Sequence, residues 1–173
     1  MRLYSGKVGP ISEEVIKTLT EEGDIELDAD SRDEAVLDVQ SVLKEYLRME
    51  REVGDEARDL LARRGQDHTA FGRTKRKIAE GRGFGLGEDG IGWIADQLLD
   101  MMMHSAHIEE IFSEDHEIRS KIAKVLRRHM STDEDLDREV RRRIKNLQEG
   151  TDSWDIEYEK VSAALRKLQG LDG

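Results

Sequence analysis

Sliding the chain along itself by 83 residues, without gaps, brings Gly9 onto Gly92, Ile11 onto Ile94, Ile25-Glu26 onto Ile108-Glu109 and Val42-Leu43 onto Val125-Leu126. The same offset sets Glu34 on Glu117, Glu56 on Glu139, Arg58 on Arg141, Lys77 on Lys160 and, conservatively, Phe71 on Trp154. A period of this length restricts the fold to one that a single unit of about 83 residues can adopt twice. Charge follows the same pattern. Residues 1–30 and 87–120 carry net −5 and −8, while residues 31–86 and 121–173 carry +1 each, for a total of −11. Each half therefore opens acidic and continues balanced.

Between the halves, residues 81–90 hold five glycines, a composition that propagates a helix poorly. The expected organisation is a first helical unit over 1–82, a glycine-rich linker over 83–90 and a second helical unit over 91–173. The class is all-α, two related multi-helix units packed as a helical bundle. One proline, eight aromatic residues and abundant Leu, Glu, Arg, Lys, Met and Ala favour helix over sandwich or barrel. Leu, Ile, Val and Phe form about 24% of the chain, enough for a lean core.

Local signals place the elements. A first helix opens near Pro10 and carries an apolar stripe of Ile11, Val15, Ile16 and Leu19, with Gly23 beyond its end. Ile25-Glu26-Leu27 suits a short extended segment. Ser31 and Glu34 have capping-box spacing, and Val36, Val39, Leu43, Tyr46, Val53, Ala57 and Leu60 then form a heptad seam interrupted by Glu50. In the second half, Ser113 is the expected cap of a helix containing Ile118, Ile122, Val125, Leu126 and Met130. A second start at Ser131-Thr132-Asp133-Glu134 predicts a break there, and by analogy a bend around Arg48 to Glu52. Last helices follow Asp67 and Asp152. The second of these carries Trp154, Tyr158, Val161, Leu165 and Leu168, with Gly170 beyond.

Motifs with chemical meaning are few. Zero cysteines exclude disulfides and thiolate sites. Gly85-x-Gly87-x-x-Gly90 matches a dinucleotide fingerprint by letter but lacks the preceding strand, and Glu88 and Asp89 would repel a phosphate. Asp100, His104 and His107 share a face if they stand on one helix, which is a metal-ligand spacing; the alternative is a solvated polar face. Asp133, Asp135 and Asp137 begin like a calcium loop, but Arg138 and Ile144 occupy positions that need Gly and Glu. No nucleophilic triad is indicated, so neither an enzyme nor a cofactor nor a metal is expected. The longest near-apolar segment, Ile91 to Ala95, is far below the roughly 20 residues a membrane span needs. A cytoplasmic location without membrane contact is expected.

Three segments also carry a family resemblance. Met1-Arg2-Leu3-Tyr4-Ser5-Gly6-Lys7-Val8, Val42-Leu43-Lys44-Glu45-Tyr46-Leu47 and Lys75-Arg76-Lys77-Ile78-Ala79-Glu80-Gly81-Arg82-Gly83-Phe84 resemble the bacterial family known as domain of unknown function 507. The first half is closer to the pattern; the second departs at its start and lacks the basic run before residue 160. The resemblance implies a bacterial origin and a tandem of two units, and brings no catalytic or ligand residues.

The expected function is that of a non-enzymatic interaction or assembly protein engaging other proteins, with Val36, Val39, Leu43, Tyr46, Val53 and Leu60 as an interaction seam that also suits homo-oligomerisation. The alternative is a nucleic-acid-associated regulator using the basic face of Arg73, Lys75, Arg76 and Lys77, since local potential governs phosphate contact even where the net charge opposes approach. Tyr46, Phe71 and Trp154 are expected to be core residues.

Overall fold

The computed structural model describes residues 2–168, apart from the side chains of 131–133. A 3-10 turn leads into α1 (Val8–Glu21), which is followed by β1 (Ile25–Leu27), α2 (Arg32–Arg64), a second 3-10 turn and α3 (Phe71–Gly81). The second half repeats the order with α4 (Glu88–His104), β2 (Ile108–Ile111), α5 (Asp115–Arg143) and α6 (Asp152–Leu168). The fold is all-α, with one small ribbon of two strands among the described residues. None of the described helices is long and apolar enough to cross a membrane.

The apolar stripes account for the packing. α1 buries Ile11, Val15, Ile16 and Leu19 against both long helices, α2 and α5, and α4 does the same with Ile94, Leu98, Leu99 and Met102. Val36, Val39, Leu43 and Tyr46 of α2 and Ile118, Ile122, Val125 and Leu126 of α5 belong to one continuous core drawn from both halves, joined through α1 and α4, which each pack on both long helices. Truncating a fully buried side chain such as Leu98 to Ala costs about 3 kcal/mol here, transfer and cavity terms together. β1 and β2 pair antiparallel across the halves, Ile25 opposite Ile111 and Glu26 opposite Glu110, with a bulge between Glu26 and Leu27.

Beyond that body each long helix continues as an arm covered by its own last helix. On one arm Ala57 and Leu61 of α2 pack on Phe71; on the other Leu136, Val140 and Ile144 pack on Trp154, Tyr158 and Leu165. The buried residue closing the first arm is Leu61, and Leu60 is only half-buried, because the four-residue step from Ala57 selects the next position round the helix. Leu168 is exposed rather than part of the α6 seam, and Gly170 lies outside the described residues.

Several local expectations are corrected. α2 is one unbroken helix of 33 residues, about 50 Å long. Arg48 reaches Glu45 and Glu52, one turn to either side, and so staples the region expected to bend. The backbone of α5 also runs unbroken through 131–133, whose side chains are outside the described set. Ser31 precedes α2 but makes no side-chain cap, and α5 is capped by a reciprocal box between Glu114 and Glu117. The Ser113 hydroxyl donates instead to Asp24 at 2.6 Å. α4 ends at His104 because the Ser105 hydroxyl accepts from the His107 amide and donates to Asp38, an arrangement that competes with the next helical turn.

Candidate functional site

The two arms flank a cleft of about 1060 Å³ and touch where Arg58 reaches Gly150 and Asp155. Residues Arg2–Lys7 line it, as do Leu47, Glu50, Gly54 and Arg58 of α2, Phe71 and Lys75 of α3, and Trp154, Tyr158, Ser162 and Arg166 of α6, together with the carboxylates of Asp55, Glu149, Asp155 and Glu159. α6 faces the cleft because Trp154, Tyr158, Ser162 and Leu165 recur at helical spacing, and the chain departs from apolar at Ser162.

Stacked cations and hydrogen-bonded phenols organise the walls. The Arg2 guanidinium lies 5.6 Å from the Tyr4 ring centre and 5.2 Å from that of Tyr158, and Arg166 lies 4.5 Å from Tyr4. Tyr158 donates to Asp137, Tyr4 is hydrogen-bonded to Tyr158, and the Tyr4 hydroxyl lies 3.3 Å from the same Asp137 oxygen. Burial, and then the Asp137 carboxylate, push the Tyr158 phenol up to about 12; burial and the bond to Tyr158 raise Tyr4 further. Glu50, the residue that interrupts the heptad seam, is 14% exposed in its side chain and turns into the cleft, 3.5 Å from Lys75 and 3.9 Å from Arg2.

Ser162 is 7% exposed, and its hydroxyl has no hydrogen-bond partner among the described residues. A helical serine ordinarily returns its hydroxyl to the carbonyl one turn back, as Ser12 does to Val8 at 2.7 Å. The cleft thus combines aromatic rings, guanidinium groups and the carboxylates of Glu50, Asp55, Glu149, Asp155 and Glu159 with the unpartnered Ser162 hydroxyl.

The opening segment, which carried much of the family resemblance, lines the cleft, and Leu47 and Lys75 from the other two segments line it as well. The family model described as Protein of unknown function (DUF507) matches residues 1–171. The chain belongs to the DUF507 family. A search of curated proteins finds no match.

In this DUF507 chain the expected interaction seam is closed. Val36, Val39, Leu43, Tyr46 and Val53 are buried under α1, α4 and their neighbours, so they form core and offer no surface to a partner or a second copy. Tyr46, Phe71 and Trp154 are likewise buried. The basic run is divided by the helical period: Arg73, Arg76 and Lys77 are exposed, while Lys75 turns towards Glu50. Asp100, His104 and His107 are not brought together, because His107 lies beyond the helix end with its Nδ1 2.9 Å from Asp38, and His104 Nδ1 turns to the Asp100 backbone carbonyl. Among the described residues no group of three or more metal-ligating side chains is assembled. The glycine stretch serves packing: a Cβ on Gly90 would fall 2.3 Å from the Tyr46 hydroxyl oxygen, and α3 rather than a strand precedes it.

Sequence reasoning missed the cleft itself. Arg2, Tyr4, Ser162 and Arg166 come from the two ends of the chain and have no local motif in common. Glu50 inside an apolar seam was the one signal that pointed there.

Proposed function

We propose that this DUF507 chain is a non-enzymatic interaction protein of the bacterial cytoplasm, built from two copies of one helical unit, which receives a segment of another protein in the cleft between its arms. The observation that carries the reading is the cleft lining: aromatic and stacked guanidinium groups around a buried Ser162 hydroxyl that lacks a partner among the described residues. Leaving a buried hydroxyl unsatisfied costs about 1–3 kcal/mol, which an incoming carbonyl or carboxylate would recover.

The two-copy reading is supported by equivalent contacts at the 83-residue offset. Arg58 lies 5.6 Å from the centre of Phe71, and Arg141, its counterpart, lies 5.2 Å from the centre of Trp154, the counterpart of Phe71. Val53 and Leu136, Ala57 and Val140, and Leu61 and Ile144 are buried in pairs at the same offset.

Affinity purification from the native bacterium tests the reading when wild type is compared with Ala163→Trp. Ala163 is exposed and lines the cleft, so the indole obstructs the cleft without entering the core. A protein retained by wild type and lost from the variant is expected. Equal capture by both, with the variant folded by circular dichroism, would overturn the assignment of the cleft.

A further inference from the structure

The arginines divide into two populations. Of eighteen in the chain, twelve pair with carboxylates and Arg166 stacks on Tyr4. The five with neither an acidic partner nor a ring among the described residues are Arg51, Arg63, Arg64, Arg73 and Arg76, and all lie between residues 51 and 76. A chain of net −11 has carboxylates to spare, yet these exposed guanidinium groups are left unpaired; Arg51 lines the cleft, whereas Arg63, Arg64, Arg73 and Arg76 do not and form a local positive surface against an acidic total.

Topology gathers four of them. α2 ends at Arg63-Arg64, the chain reverses, and α3 packs back on α2 with Arg73 in its first turn. Arg73, Arg76 and Lys77 stand at i, i+3 and i+4 on the exposed side, away from buried Phe71 and Ala79. From Arg73 to Lys77 the helix rises about 6 Å, close to two base-pair steps of a duplex. The neighbouring carboxylates without a cationic partner among the described residues are Asp59, Asp67, which accepts from the Thr69 amide, and Glu80, and these three are the opposing charges of this surface.

We propose that this surface, independent of the cleft, binds the phosphate backbone of double-stranded nucleic acid without reading its sequence. The chemistry around the cations selects that occupant. The large exposed apolar residues among those described are Leu37, Met103, Phe112, Ile156 and Leu168, and none belongs to the arm of α2 and α3. A protein interface centres on apolar anchors and a membrane-surface helix needs an apolar face, so this surface suits neither. It also presents no exposed Phe, Tyr or Trp ring on which unpaired bases would stack, which favours a duplex over a single strand.

The test is fluorescence anisotropy of the full chain with a labelled 24-base-pair duplex DNA, in two unrelated sequences. Saturable binding at 50 mM salt is expected, equal for both sequences. If about five phosphates are neutralised, the log–log salt slope is about −4.5 and affinity falls roughly 500-fold by 200 mM. Arg73→Glu/Arg76→Glu/Lys77→Glu should weaken binding at least 50-fold, whereas Lys17→Glu/Lys44→Glu/Lys124→Glu, equal in net charge and also exposed, should change it less than threefold. Arg63→Gln/Arg64→Gln, which removes charge without reversing it, should give a partial loss. No binding at 50 mM salt, equal loss in the two triple variants, or binding confined to poly-glutamate or to phosphatidylserine vesicles would each overturn the proposal.

Discussion

Lys121 on α5 places its Nζ 2.7 Å from Oδ2 of Asp24, a carboxylate 2% exposed at the end of the turn after α1. Ser113 donates to the same side chain at 2.6 Å, and the Asp24 backbone carbonyl accepts from Phe112 at 2.8 Å. One residue of the first half is thereby bound to three of the second. Burial would raise the Asp24 pKa, but the hydrogen bonds from Lys121 and Ser113 outweigh it and hold the carboxyl below its ordinary range.

Asp24→Ala should therefore cost about 2 kcal/mol at pH 7. A pKa depressed in the folded state contributes stability that is present above the unfolded value of about 3.9 and lost as pH falls through the folded value. Urea unfolding at pH 7, 5 and 3 should show a constant gap between wild type and variant at the first two and a narrowed gap at the third. A gap that stays constant to pH 3 would show that the charge of Asp24 contributes nothing.

The three tyrosines, Tyr4, Tyr46 and Tyr158, are all shifted upward, Tyr158 to about 12, mainly by burial. Absorbance at 295 nm should show no ionisation near pH 10 while the fold persists, and full ionisation near that value in denaturant. The associated stability is complete below about pH 10 and disappears as pH rises through the folded values. Alkaline unfolding and tyrosinate absorbance should accordingly rise together.

Gly150 joins the arms through a close approach. Its φ is +92°, its carbonyl accepts from Arg58 Nε at 3.2 Å, and an added Cβ would fall 2.8 Å from the Phe71 ring. Gly150→Ala should destabilise by about 2 kcal/mol or more, combining backbone strain with steric displacement of a buried ring. Gly9, early in α1 with open space around its Cβ position, should respond in the opposite sense, with Gly9→Ala gaining up to about 1 kcal/mol. Thermal denaturation of the two variants distinguishes them.

The long helices differ in how they begin. Glu114→Ala removes the capping box of α5 and should cost about 1 kcal/mol, while Ser31→Ala, at a cap position whose hydroxyl bonds nothing in α2, should stay within about 0.5 kcal/mol. Matching losses in chemical denaturation would show that both residues cap.

Helical periodicity made most of the fold legible, because each stripe, from Ile11 to Leu19 or from Val36 to Val53, buries the face it marks. The offset that set Ile25 on Ile108 also contained the second strand, but the histidine spacing suggested a continuing helix there. Ser105 decided the matter through a side-chain bond that periodicity does not encode. The apolar seam of α2 could be read as a surface because a stripe has the same signature whether it meets another chain or its own. Which neighbours cover it depends on α4, a helix far along the sequence. The cleft depends similarly on residues from opposite ends, and only Glu50 announced it locally.

The strand pair has a consequence for synthesis. Asp24 and Lys121 are 97 residues apart, so a chain made from its N-terminus emerges with β1 unpaired and the Asp24 carboxylate without its cation. At about 5–20 residues per second that interval lasts roughly 5 to 20 s, during which an open strand edge and the apolar faces of α1 and α2 await their covering. For that interval the nascent first half is the part of the chain most open to non-native pairing.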